Sequence, residues 1–289
     1  MPRVLVLSAL LLVSIVACET VPPVERSGGY ADMIAPTTSP FYFESPLIQD
    51  EIRPVGMYHA FPETGVLQGG EMKVYALQAR VVVDQGDTAL FFNKFGVYDI
   101  NASGPDADDA KGWADFGLGL KHSLIREPDA GFIFTVGLGY ESDQGSDEVL
   151  QGHGEGIWNP FVSAAQVLGD FNLMASTGAL LSTSSSRQSS IWHYHLHVDR
   201  AVTPDLYPFV EFNGYTVFDE GHRVPGDFEG GDLFDLGASE SHGDDLITAG
   251  PGLRYRTDVG DLGIAYEFPL TDSPDFFDWR LTIDFMIQL

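Results

Sequence analysis

One cysteine in 289 residues excludes an intrachain disulfide, so the fold must rest on hydrogen bonds and packing. Basic residues are scarce. The 15 Lys and Arg stand against 42 Asp and Glu, a net charge of −27, which argues against nucleic acid as a partner, since that needs clustered cations. No convincing amphipathic helix follows residue 50; the spacing of apolar residues at three and four is missing there. There is no GxSxG elbow and no compact His–Ser–acid motif. Gly152-His153-Gly154-Glu155-Gly156 lacks the spacing of a phosphate loop. The expectation is a non-enzyme without a cofactor.

The N-terminus does carry a signal. Arg3 precedes the apolar stretch Val4 to Val13, which is of signal-peptide length and too short to cross a bilayer as a helix. It leads into Ile15-Val16-Ala17-Cys18, which resembles the lipobox of bacterial lipoproteins, with Cys18 as the acylated residue. The alternative is an ordinary cleaved signal with a coincidental cysteine. Glu19 is not the aspartate typical of inner-membrane retention. Residues 1–17 thus read as a signal peptide and 18–50 as a lipidated periplasmic tether. Pro, Gly, Ser and Thr without either period suit a segment that buries no core. Within it, Pro40-Phe41-Tyr42-Phe43 is expected to dock on the following domain or on a membrane interface.

From residue 51 to 289, period-two segments recur. Met72–Asp84, Gly112–Arg126, Gly131–Glu141, Leu262–Thr271 and the terminal Trp279–Leu289 each place apolar side chains on one face and polar ones on the other. Strands of a soluble sandwich alternate over five or six residues. Here several runs reach about ten, the length of a tilted transmembrane strand. With the less regular candidates, about twelve strands result. Their connections alternate between tight turns, such as 85–87, 127–130 and 203–205, and long loops, such as 142–157 and 219–245. Outer-membrane barrels show that asymmetry, short turns facing the periplasm and long loops outside. The fold expected is all-β, an antiparallel up-and-down transmembrane β-barrel of about twelve strands.

Several stretches are similar to a family of outer-membrane transporters, the group resembling the MetA-pathway phenol-degradation protein. They are Ser39-Pro40-Phe41-Tyr42-Phe43-Glu44 with Glu51-Ile52-Arg53-Pro54, Tyr75 to Arg80, Gly112 to Lys121, Gly230-Gly231-Asp232-Leu233-Phe234, and Gly263 to Asp272. The resemblance implies an outer-membrane barrel that passes small compounds, organic or aromatic ones among them. It supplies no substrate.

Alternation assigns Arg80, Asp84, Asp115, Lys121, Glu141, His193, His195, His197, Asp199, Glu211, Arg254, Arg256, Glu267, Arg280 and Asp284 to the lumen. They either line a pore or fill the interior with ion pairs, because charges removed from water need partners. His193, His195 and His197 share one strand face about 7 Å apart, a spacing from which one metal could recruit two rings; neutral, hydrogen-bonded lumen histidines are the plainer alternative. Asp219–Asp245 holds nine carboxylates against Arg223. Divalent cations are candidate partners there, but the EF-hand spacing is absent and a solvated acidic loop is expected. The remaining expected partners are outer-membrane lipids, the barrel assembly machinery and small solutes. The competing functions are a passive channel, a plugged structural or surface-interaction barrel, and a barrel lipid hydrolase.

Overall fold

The computed structural model describes residues 29–84, 86–104, 109–184, 186–271 and 276–289. Its strands are β1 Glu51–Ala60, β2 Gly70–Val82, β3 Thr88–Lys94, β4 Gly96–Ala102, β5 Ala110–Trp113, β6 Gly117–Glu127 and β7 Phe132–Glu141. They continue with β8 Ile157–Leu168, β9 Phe171–Ser182, β10 Ser190–Arg200, β11 Leu206–Asp219, β12 Asp245–Thr257, β13 Gly260–Pro269 and β14 Trp279–Gln288. Every strand pairing is antiparallel and joins consecutive strands except β2–β4, β3–β6 and β1–β14, and because β1 pairs with both β14 and β2 the sheet closes.

The fourteen segments make twelve staves. β2 pairs with β4 through Gly70–Ala76 and with β3 through Ala79–Val82, so β3 and β4 are one strand broken at Phe95. β5 and β6 are likewise one strand, since β5 continues along β4 and β6 along β3. The break has a local reason. A register shift between Phe92 and Lys94 turns the consecutive polar side chains Asn93 and Lys94 both inward, which is what a bulge does to alternation. The run Gly112–Arg126, expected as one strand, is likewise interrupted between β5 and β6.

Alternation is inverted relative to a soluble protein. Tyr75, Leu77, Val81, Leu90, Leu120, Leu138, Leu253, Leu262, Ile264 and Ile283 are exposed on the outside. Arg80, Lys121, His193, Glu211, Arg254, Glu267 and Arg280 are buried inside. Short turns gather at one end of the barrel and the longer loops 61–69, 142–156 and 220–244 at the other.

The segment expected as a tether is not one over residues 33–50. Met33 to Glu44 is buried throughout as a re-entrant loop inside the lumen, here called the plug. It starts at the short-turn end, where Gly29 packs against Pro128 and the Arg126 guanidinium reaches the Tyr30 hydroxyl. It turns at Ser39, which has a positive φ of 48° and whose carbonyl accepts the Tyr42 and Phe43 amides. It descends to Asp50, whose carbonyl receives the Leu289 amide. The physical cause is reciprocal. The plug's apolar side chains have no place in water, and wall groups such as Gln78, Asn93 and Thr135 find their acceptors in the plug's backbone.

Candidate functional site: an occluded lumen

Two groups of wall ions grip the plug, and a third ties the wall to loop 219–245. On its descending arm, Glu44 takes two hydrogen bonds from Arg80, at 3.0 and 2.7 Å, and one from Lys121 at 2.8 Å. Arg80 also reaches Glu51 at 2.9 Å. Nearby, Gln78 donates to the Pro40 carbonyl at 2.7 Å, Asn93 to that of Phe41, and Thr135 to that of Pro46 at 2.8 Å. At the plug's tip, Glu141 accepts Lys94 at 2.5 Å and the Tyr42 hydroxyl at 2.9 Å.

On the ascending arm, Asp284 is held by Arg53 and Arg254. Those guanidiniums go on to the Pro36 carbonyl at 2.5 Å and the Thr37 hydroxyl at 2.7 Å. Glu211 accepts the Thr37 amide at 2.8 Å, the Thr38 amide at 2.6 Å and the Thr38 hydroxyl. It also faces His197 Nδ1 at 2.7 Å, while His197 Nε2 faces Asp199 at 3.0 Å. A ring with carboxylates on both nitrogens donates from both. The third group is Arg280, which pairs with Glu267 at 2.6 Å and with Asp232 at 2.8 Å.

The histidine row lies on one inward face, as alternation implied. His193 and His195 meet at 3.0 Å, and their outer nitrogens face Asn159 at 2.8 Å and Asn213 at 2.9 Å. Phe43 stacks on His195 at 5.0 Å. Every ring nitrogen in the row has a partner on the wall, and the row meets the plug through its rings, His193 against Tyr42 and His195 against Phe43. Among the described residues no group of three His, Cys, Asp or Glu is placed to hold a metal ion.

Three of the sequence-derived lumen residues lie elsewhere or do something else. Arg256 pairs with Asp261 at 3.3 Å and covers Tyr207, half-exposed at the short-turn end. Asp115 accepts the amides of Gly145 at 2.8 Å and Gly152 at 3.0 Å, fixing a long loop over the barrel's rim. Asp84 is in a tight turn, accepting the amides of Gly86, Asp87 and Thr88; with the Thr88 hydroxyl these bonds lower its pKa to about 2. Cys18 falls outside the described residues.

The acidic loop is a lid and not a solvated excursion. Leu233, Phe234, Leu236 and Ala238 are buried, and the first three join Phe41, Tyr42, Tyr98 and Phe276 in one apolar cluster under the long-loop end. Glu229 caps the fold of this lid, accepting the Ser189 hydroxyl at 2.6 Å and the amides of Leu236 at 2.7 Å and Ala238 at 2.9 Å. Asp235 accepts the amides of Ser189 at 2.9 Å and Gly237 at 3.0 Å. Burial raises the pKa of both carboxyls, and the charge of Glu229 raises that of Asp235 further. Cavities of about 10 and 20 Å³ are left beneath the lid, room for a water or two. Sequence reasoning missed the plug's Thr37, Thr38 and Glu44 and the lid's Asp232. The available signal was Met33, Ile34 and Phe41 to Phe43, an apolar set in an otherwise polar tail.

No protein-family model matches the chain, and no curated protein matches it. Its fold is similar to an outer membrane channel from Pseudomonas putida F1, with a TM-score of 0.59 and 13% identity over 84% of this chain and 96% of that one. It is also similar to the NanC porin, with a TM-score of 0.51 and 12% identity over 83% of this chain and all (100%) of that one. At such identities the likeness is one of fold.

Proposed function

We propose that the chain is a channel of the bacterial outer membrane in its occluded state, passing small solutes passively once the plug leaves the lumen. The observation that carries this reading is the pairing of a closed, outwardly apolar wall with an interior filled by a separable segment. In hydrocarbon every backbone group must be paired, which a closed barrel achieves. Trp113, Trp158, Trp192 and Trp279 all sit towards the long-loop end with their rings outward or half-exposed, as in the aromatic girdle of a membrane barrel. The long loops then face outside and the short turns the periplasm, where an acylated Cys18 would sit in the inner leaflet. Outer-membrane lipids and the barrel assembly machinery are the partners this placement needs. The apolar cluster under the lid suits small organic or aromatic compounds. The plug itself is held by side chains and adds no strand to the sheet, so its removal leaves the wall intact.

The test is single-channel conductance in planar bilayers of the full chain and of a variant lacking residues 33–47. The full chain should be almost silent, and the deletion should conduct steadily while keeping heat-modifiable gel mobility. The filled lumen also favours a second reading, a structural barrel whose outer loops matter. A folded deletion variant without conductance would reject the channel and leave that second reading.

A further inference from the structure

The lid and the plug occlude the barrel from opposite ends, and the structure joins them by two routes. The first is apolar. Phe41 and Tyr42 at the plug's tip and Leu233 and Phe234 of the lid belong to one buried cluster, so lifting the lid bares the tip's rings and withdrawing the plug leaves a void beneath the lid. The second is polar and runs through the wall. The Thr38 hydroxyl of the plug accepts Asn213 Nδ2 at 2.9 Å, and the same Nδ2 donates to Glu267 Oε1 at 2.8 Å. Arg280 donates to Glu267 Oε2 from Nε at 2.9 Å and from a terminal nitrogen at 2.6 Å, and to Asp232 Oδ1 of the lid at 2.8 Å. Asn213, Glu267, Arg280 and Asp232 are all buried.

Charge makes this relay asymmetric. One guanidinium faces two carboxylates, and Asp232 Oδ2 is buried with no hydrogen-bond partner among the described residues. If Asp232 leaves with the lid, Arg280 and Glu267 stay a balanced pair with both hydrogen bonds intact. If the plug leaves first, Asn213 loses Thr38 while Glu267 keeps Arg280 and Thr248. Neither departure breaks the wall, and through the shared apolar cluster each removes contacts from the other occluding element.

We propose that lid and plug are thermodynamically coupled through the Asn213–Glu267–Arg280 relay and the shared apolar cluster, so that release of either favours release of the other. The proposal deepens the occluded-channel reading, but its test reads accessibility and not current, so the two can fail separately. Coupling between two sites is reciprocal, so it can be read from either end, and a wiring claim stands only on measured coupling. The full chain in detergent, carrying Ser39→Cys as plug reporter or Ala238→Cys as lid reporter, is modified with a maleimide. Asp232→Asn, at the lid end, should raise the rate at the plug reporter by about tenfold, within the 5- to 150-fold range of ordinary coupling. Thr38→Val, at the plug end, should raise the rate at the lid reporter by a similar factor. Heat-modifiable mobility verifies that each barrel is folded, and either variant alone suffices if the other fails to fold. Asp232→Asn that frees the lid reporter and leaves the plug reporter at the wild-type rate would overturn the proposal. So would Thr38→Val that frees only the plug.

Discussion

Glu44 is the one charged residue between positions 33 and 49, and it meets two buried cations. Arg80 keeps a second carboxylate, Glu51, at 2.9 Å, whereas the other contact of Lys121 is the Ser45 carbonyl at 2.8 Å. Glu44→Gln therefore leaves two cations and one carboxylate in a space closed to water. Removing one partner of a buried pair costs about 3–5 kcal/mol. The cost falls on the occluded state alone, because withdrawal of the plug wets both cations. The occluded-to-open ratio should fall by about two to three and a half orders of magnitude at 1.4 kcal/mol per tenfold. Open probability in planar bilayers reads this directly, and maleimide access to Ser39→Cys reads it without current. Adding Lys121→Met should return most of the loss, since Arg80 and Glu51 then balance. A folded Glu44→Gln barrel that opens no more often than wild type would refute the reasoning.

Ile283→Arg, on the outward face midway along β14, should cost about 2–4 kcal/mol in a bilayer; unfolding titrations in lipid vesicles measure it, and a change under 1 kcal/mol would place that face outside hydrocarbon. The lid should loosen as pH rises: Glu229 and Asp235 have pKa values raised above the unfolded value of about 4, so their stabilisation is complete below that pH and is lost as pH climbs through the raised values. Asp235→Asn, which keeps the Oδ1 contacts, should flatten the profile of proteolysis or labelling in 220–244, and a lid more open at pH 5 than at pH 8 would contradict the assignment. The plug-deleted channel should favour cations, because six of the nine carboxylates of Asp219–Asp245, those other than Glu229, Asp232 and Asp235, remain at least partly exposed at the mouth. Reversal potentials should show that preference fading as the Debye length shrinks from about 10 Å at 0.1 M to about 3 Å at 1 M salt, and anion preference at low salt would reject it.

Most of the wall was legible in the sequence because its residues answer to a local rule. Leu262, Ile264 and Tyr266 face out and Glu267, Arg280 and Asp284 face in by period alone, and the turn-and-loop asymmetry orders the ends. What fills the wall was not legible. Thr38 finds Glu211 across 173 positions, and a segment without either period carries no trace of such a partner. The break at Phe95 was hidden for the same reason, since Asn93 turns inward to a carbonyl of the plug. The lid hid behind its composition. Nine carboxylates read as solvated until Ser189 and the lid's own amides are seen to hold two of them and Arg280 a third.

Both ends of the plug leave the barrel on the same side, a feature with a mechanical consequence. A chain that crossed the lumen would have to be threaded out end first, past every constriction. A re-entrant hairpin needs no free end and passes no knot on leaving or returning. Tension applied ahead of Gly29 loads the ascending arm first and breaks its contacts one after another, Pro36 with Arg53, then Thr37 and Thr38 with Glu211. The descending arm, continuous with β1 and pinned at Glu44, bears no load until the apex at Ser39 has turned over. Extraction as proposed would therefore peel the contacts in sequence from the short-turn end. Pushed from the lid end, the same segment would be resisted by all of its contacts at once.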